Sequence, residues 1–273
     1  MNAFDQSPLG KATRYPDRYE PGLLFAIDRA AQREMMGLRG PLPFAGADLW
    51  TAYEISWLDP HGRPQLAIGE LRIAAESPAT VESKSLKLYL GSFAQESVAA
   101  RDRLAQMIVG DLTRVCRSRV EVVLHPAAAS AVPALAELPG VSLDDQDAVA
   151  AADAPQPELL VADAASAEET LRSALFRSNC PVTGQPDYGD VMVRYRGPRI
   201  DRASLLAYLL SYRRHAAFHE SCVEQIFVDI VARCHPERLT VYARFARRGG
   251  IDINPFRSDF ESPPVTAPRT ARQ

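Results

Sequence analysis

The chain repeats itself, and any fold must accommodate both copies. Residues 85–93, Ser-Leu-Lys-Leu-Tyr-Leu-Gly-Ser-Phe, align with residues 204–212, Ser-Leu-Leu-Ala-Tyr-Leu-Leu-Ser-Tyr. Farther on, Asp-Leu-Thr-Arg-Val-Cys at 111–116 aligns with Asp-Ile-Val-Ala-Arg-Cys at 229–234. The offset between the two blocks changes by one residue, a single small indel. Each copy then runs into an alternating stretch, 120–124 in the first and 239–245 in the second, the pattern of a half-buried strand. A shared order of helix and strand signals predicts two copies of one αβ module.

The copies differ where chemistry is concentrated. The first carries Glu82, Lys84 and Lys87, and the matching stretch of the second, 201–206, has no lysine. The second carries Cys180, and the stretch ahead of the first module's repeat, 51–57, has no cysteine. Complementary losses of this kind predict one site to which both copies contribute. Codon bias sharpens the point. Lysine occurs only at Lys11, Lys84 and Lys87, and asparagine only at Asn2, Asn179 and Asn254. A lysine that resists an arginine-rich background supplies a compact point charge, which arginine's planar fork does not replace.

The length of 273 residues allows two domains with real cores. A formal net charge of −3 argues against a nucleic-acid-binding surface. No apolar run is long enough to span a bilayer, and the first six residues do not read as a signal peptide. Four widely spaced cysteines without a CxxC pair suit a reducing cytoplasm. The expected organisation is an extension over 1–47 packing on the first module, a first module over 48–125, and a connection over 126–166. A second module over 167–261 and a disordered tail over 262–273 complete it. Within these, 50–58 and 65–73 read as strands joined by an Asp59-Pro60-His61-Gly62 turn. The spacing predicts helices over 101–116, 204–212 and 220–234. It predicts a strand over 190–195 that turns at Arg196-Gly197-Pro198. The stretch 82–92 fits either a strand or a helix start.

Cys180 lies in Arg177-Ser178-Asn179-Cys180-Pro181, a polar loop in which a thiol can be exposed and activated by a cation. A free cysteine is more often a small buried hydrophobe, and Cys116, Cys222 and Cys234 fit that role on apolar helix faces. Asp187 is a turn residue after Pro186 or the acid that serves Cys180. Phe218-His219-Glu220 is a helix start or a clamp for a flat ring, with Phe218 stacking and Glu220 accepting N–H donors. Arg244-Phe245-Ala246-Arg247-Arg248-Gly249-Gly250, at the end of the last strand, is a solvated basic run or a phosphate contact. No GxGxxG follows a strand, and no His/Cys set has the spacing of a metal site.

These segments together, Glu82-Ser83-Lys84-Ser85-Leu86-Lys87-Leu88-Tyr89, Cys180 with Asp187, Phe218-His219-Glu220 and Arg248-Gly249-Gly250, resemble the QueF family. Leu23-Leu24-Phe25 and Trp50…Tyr53-Glu54 extend the likeness to the long, two-module form. The resemblance implies an α/β fold of the α+β type, two tandem tunnelling-fold modules, each an antiparallel sheet with paired helices. It implies an NADPH-dependent 7-cyano-7-deazaguanine reductase of queuosine (tRNA modification) biosynthesis, a cytoplasmic homodimer without nucleic acid, membrane or metal. By the same resemblance Cys180 forms a covalent thioimide and Asp187 donates a proton. Val81, Glu82, Ser83, Phe218, His219 and Glu220 contact the substrate, and Ser83, Lys84, Arg248 and Gly249 contact NADPH. The alternatives are another purine or pterin enzyme of the same fold, which needs zinc, and a non-catalytic purine-binding module.

Overall fold

The computed structural model describes residues 15–128, 133–149, 154–265 and 268–273. It contains ten strands and five α-helices among those residues. The chain forms two compact units. One comprises Met1–Met35, Asp48–Val132 and Arg247–Ile253, and the other Met36–Ala47, Pro133–Ala246 and Asn254–Gln273.

In the first unit, β1 (Ala26–Asp28) pairs antiparallel with β4 (Ala79–Val81). Strands β5 (Val120–Pro126), β3 (Pro64–Ala74) and β2 (Ala45–Leu58) lie side by side, with the start of β10 (Ile251–Ser258) next to β2. The β2–β3 hairpin turns where the sequence predicts: Asp59 Oδ1 accepts from the N–H groups of His61 and Arg63. Helices α2 (Ser83–Gly91) and α3 (Arg101–Cys116) cover the sheet. Trp50, Ile55, Ile73, Leu86, Phe93, Leu104, Ile108 and Leu112 form the core. Helix α1 (Arg29–Met35) completes this unit.

The second unit repeats the plan. Strands β10, β9 (Arg238–Phe245), β8 (Pro186–Ile200), β7 (Ala162–Asn179) and the short β6 (Val141–Ser142) follow in that order, antiparallel except for β6 against β7. Helices α4 (Arg202–Ser211) and α5 (His219–Cys234) pack on them. Cys222, Ile226, Ile230 and Cys234, four residues apart along α5, are all buried, as their spacing requires.

The repeat is legible in hydrogen bonds. Tyr89 donates to Asp111 at 2.7 Å, and the aligned Tyr208 donates to the aligned Asp229 at 2.5 Å. Glu82 caps α2 and Asp201 caps α4. Helices α3 and α5 both end on a residue in the left-handed region, Arg117 and His235. Pro21–Leu23 and Pro157–Leu159 form matching single 3₁₀ turns ahead of the two modules.

Several boundaries differ from the sequence reading. Arg196-Gly197-Pro198 is not a turn, because β8 continues to Ile200 against β7. Gly197 sits at φ 144°, where a Cβ would lie 2.9 Å from Pro236 Cα, so a close backbone approach explains the glycine. Strand β7 begins at Ala162, inside the expected connection. The tail is ordered at its far end: Thr270 and Gln273 are buried, because the Gln273 amide finds internal partners. Strand β10 went unread, since Pro255 interrupts its apolar pattern. The segment 247–253 packs with the first unit although it follows the second module's last helix in sequence. Residues 1–6 and the alanines Ala129 and Ala150, Ala151 and Ala152 lie outside the described residues.

Candidate active site

The second unit builds a thiol hairpin. Cys180 sits half-buried in the connection between β7 and β8. Its N–H donates to Gln185 O at 2.8 Å, and its carbonyl accepts from Gly184 N at 3.0 Å. Gly184, at φ 68°, permits that tight turn. Asp187 stands on β8 opposite Ser178, only two residues before Cys180 on the facing strand. The turn thus brings acid and thiol to neighbouring register positions.

A second connection ties this hairpin to the start of α5. Asn179 N donates to His215 O at 2.8 Å, and Asn179 O accepts from Ala217 N at 3.1 Å. Phe218 is the residue ahead of α5, and His219 and Glu220 open the helix. His219 Nε2 lies 3.3 Å from Asp187 Oδ2, and both side chains are largely shielded from solvent. The imidazole stacks on Phe245, centroids 3.9 Å apart and planes 13° from parallel. His219 Nδ1 is buried without a hydrogen-bond partner among the described residues, so it points a free polar atom into the site. Glu220 is buried beside it.

The other three thiols are set apart by burial. It pushes Cys116 and Cys222 up to about 12 and Cys234 up to about 11, so all three stay protonated. Cys180 alone among the described cysteines is not fully buried.

The first unit builds a basic cradle. Val81 ends β4, buried, and Glu82 N donates to Phe25 O. Both Glu82 carboxyl oxygens cap α2, Oε1 accepting from Lys84 N at 2.7 Å and Oε2 from Ser85 N at 2.8 Å. Burial raises the Glu82 pKa, with the Lys84 and Ser85 N–H groups pulling the other way. Ser83 and Lys84 follow at the first turn of the helix.

Arg248, Gly249, Gly250 and Ile251 form a two-residue hairpin in the same unit. Arg248 N donates to Ile251 O at 2.9 Å. Both glycines have positive φ, 59° and 78°, as a type I′ turn demands. A Cβ on Gly249 would lie 2.9 Å from Lys87 Nζ, and one on Gly250 would lie 2.6 Å from Glu54 Oε2. The glycines therefore serve turn and close packing together. Tyr53 N donates to Gly250 O, and Arg247 lies over the Tyr53 ring at 4.6 Å.

Two participants were missed as site residues from sequence. Lys87 was visible in the lysine count but had no assigned role until the hairpin placed Gly249 beside it. Phe245 reads as one more apolar position of a strand. Its only local clue is Gly189 on the partner strand, where a Cβ would come within 3.2 Å of the ring.

Among the described residues no group of three His, Cys, Asp or Glu side chains is placed to hold a metal ion. No helix there is long and apolar enough to cross a membrane.

Comparison with known proteins fixes the family. Residues 15–124 match the family model described as nitrile reductase, 7-cyano-7-deazaguanine-reductase N-term, and residues 186–263 match the model for QueF-like protein. NADPH-dependent 7-cyano-7-deazaguanine reductase from Burkholderia multivorans is 51% identical over 271 residues, covering 98% of this chain and 99% of that protein. The chain belongs to the QueF family. Proteins of the same name from Paraburkholderia phymatum and Burkholderia orbicola are each 50% identical, again over 98% of this chain and 99% of theirs. Among solved structures, the apo archaeosine synthase QueF-Like covers 36% of this chain at 20% identity and a TM-score of 0.31, a likeness too slight to bear on fold or function. With QueF membership established, the α+β modules with antiparallel sheets and paired helices are those the resemblance implied.

Proposed function

We propose that this QueF-family chain reduces the nitrile of 7-cyano-7-deazaguanine to the aminomethyl group, using NADPH, in queuosine biosynthesis. The observation that carries the reading is the Asp187–His219 contact beside the one hairpin that offers a thiol outside the core. Cys180 Sγ adds to the nitrile carbon, forming an S–C bond, while one C≡N π pair moves to nitrogen and takes a proton. Asp187 gives that one proton to nitrogen and is reprotonated by the proton the thiol releases, so the step balances and the product is a thioimide. A weak electrophile needs proton delivery to nitrogen alongside attack, and Asp187, buried and next to His219, is the donor. His219 holds the Asp187 carboxyl in place, and its unpartnered Nδ1 is available to the substrate. Glu220 and Glu82 accept N–H donors of the purine edge, Phe218 stacks on the ring, and Val81 and Ser83 line it.

The residues of the first unit fit NADPH. Lys84, Lys87, Arg247 and Arg248 supply cations beside a glycine hairpin too tight for side chains, which suits phosphate groups. NADPH supplies hydride, two equivalents for the two-stage reduction of nitrile to amine. Ser83, Lys84, Arg248 and Gly249 bind and orient it. We further propose a cytoplasmic homodimer that binds neither nucleic acid nor membrane. By resemblance to the family, both sets of residues are needed for one reaction, so separately expressed modules should each be inactive.

Mixing the protein with the nitrile substrate and no NADPH should produce a new thioimide absorbance, lost in Cys180→Ala. A Cys180→Ala protein that still reduces the nitrile sinks the reading. Sedimentation of a monomer at working concentration would remove the dimer.

A further inference from the structure

The His219 platform is fastened from behind by the last described residues of the second unit. His219 stacks on Phe245, the final residue of β9, and Phe245 pairs with Gly189 of β8. Both backbone carbonyls of that pair point to the 268–273 segment. Gln273 Nε2 donates to Phe245 O at 3.1 Å, and an Arg272 guanidinium N–H reaches Gly189 O at 3.3 Å.

Each fastener is itself anchored. The Gln273 side-chain oxygen accepts from Arg244 Nε at 2.6 Å and from Thr270 N at 3.1 Å, and its nitrogen also donates to Asn254 Oδ1 at 2.7 Å. The same Arg272 nitrogen donates to Asp190 Oδ1 at 2.9 Å and to Ala174 O at 2.8 Å. Ala174 lies where β7 slips register against β8, between Ser173 and Phe176. That bulge needs partners for its unpaired backbone groups. Asp144 meets the Ala174 N–H at 3.1 Å and the Ser173 hydroxyl at 2.6 Å, while Arg272 meets the Ala174 carbonyl. Beyond the bulge, Phe176 packs edge-on against Phe245 at 5.9 Å. The ring under His219 is thus held by its own strand, by Phe176, and by a glycine that leaves it room.

We infer that Arg272 and Gln273 are positioning residues for the reaction. They lock the Gly189–Phe245 pair, through it the plane of His219, and so the His219–Asp187 contact. The inference rests on the proposed role of Asp187 and His219. A misplacement of about 1 Å in a catalytic group can cost on the order of a hundredfold in rate.

The test measures thioimide formation rate, kcat and substrate KM in Gln273→Ala and Arg272→Ala, alone and combined with His219→Ala. Each single variant should lower kcat and the adduct rate about tenfold or more while KM stays within about twofold. In the His219→Ala background the same changes should add less than about twofold, since the residue they position is gone. A merely structural role would slow both backgrounds alike, and that result overturns the inference. So does an unchanged kcat in both single variants while His219→Ala and Asp187→Asn are slow. If His219→Ala and Asp187→Asn are themselves as fast as wild type, the reading of the site fails instead. Should Gln273→Ala not fold, Arg272→Ala decides, because its side chain is about a third exposed and leaves the Gln273 network intact.

Discussion

The two units share a framework and carry different reactive side chains. Each has a capped first helix, a second helix of sixteen residues ending in a left-handed residue, and a buried Tyr–Asp bond between them. They differ at the ends of the sheets. The first unit presents Lys87 beside a Gly-Gly hairpin that Arg248 opens, and the second presents Cys180, Asp187 and His219 around a thiol hairpin. Duplication preserved what the helices need to pack and left the loops free to specialise, because loop changes cost little packing. The polar centres also differ in their partners. In the first unit Asp111 is shared by Tyr89 and by Tyr19 from the extension. In the second, Tyr208 bridges Asp229 and Tyr212, and burial pushes both phenols well above their ordinary range.

The largest effect that could break this division lies in the thiols. Cys180→Ala should lose adduct and turnover to background. Cys116→Ala and Cys234→Ala, at equivalent positions of the two copies, should keep full chemistry and each lose about 1 kcal/mol of stability. Adduct formation that depends on Cys116 or Cys234, in a protein that unfolds normally, would reverse the assignment.

Lys84→Ala should leave thioimide formation intact and weaken NADPH about ten- to a hundredfold, as expected for one charge-assisted phosphate contact. Equal loss of adduct and of NADPH affinity would mean that Lys84 does more than hold the cofactor.

Tyr208→Phe and Tyr89→Phe probe the shared framework. Each removes one donor to a buried carboxylate, so a cost of about 1.5 kcal/mol is expected. Tyr208→Phe should cost more, since Tyr212 also loses its partner, while each carboxylate keeps a second donor, Gln225 on Asp229 and Tyr19 on Asp111. Denaturant midpoints would show it, and the reverse order would contradict the role given to the Tyr208–Tyr212 bond.

The smallest effect is a pH dependence. Burial raises the Glu82 pKa in the folded state above its ordinary 4.5. The folded state then holds its proton more tightly than the unfolded chain. That contribution to stability is fully present below the unfolded pKa and is lost as pH rises through the folded one. Glu82→Gln keeps one capping oxygen and removes the titration, so the melting-temperature gap between wild type and variant should shift against wild type over that window. A gap independent of pH from acid to neutral would show that the helix cap fully offsets burial.

Sequence alone determined the duplication, the three longer helices and the burial of Cys116, Cys222 and Cys234. Helix α3 falls on 101–116 as its apolar spacing requires, and α2 resolves the ambiguous stretch 82–92 because Glu82 can cap it. These are local signals: a buried face repeats along the segment that carries it. Lys84 stood out by the scarcity of lysine and Cys180 by its polar loop, whereas Asp187 and His219 have ordinary readings in sequence as a turn residue and a helix start, and only the fold puts the two in contact. Tertiary structure decided the rest. Strand β10 exists because β9 supplies its partners, despite Pro255. The Gly-Gly hairpin joined the first unit because Tyr53 and Lys87 were there to receive it. Phe245 became a platform only when α5 set His219 on it, and the tail became a brace only when Phe245 and Gly189 offered carbonyls. Such pairings join residues far apart in the chain, Gly189 with Arg272 and Tyr53 with Gly250 among them, and nothing in the periodicity of either partner encodes the other.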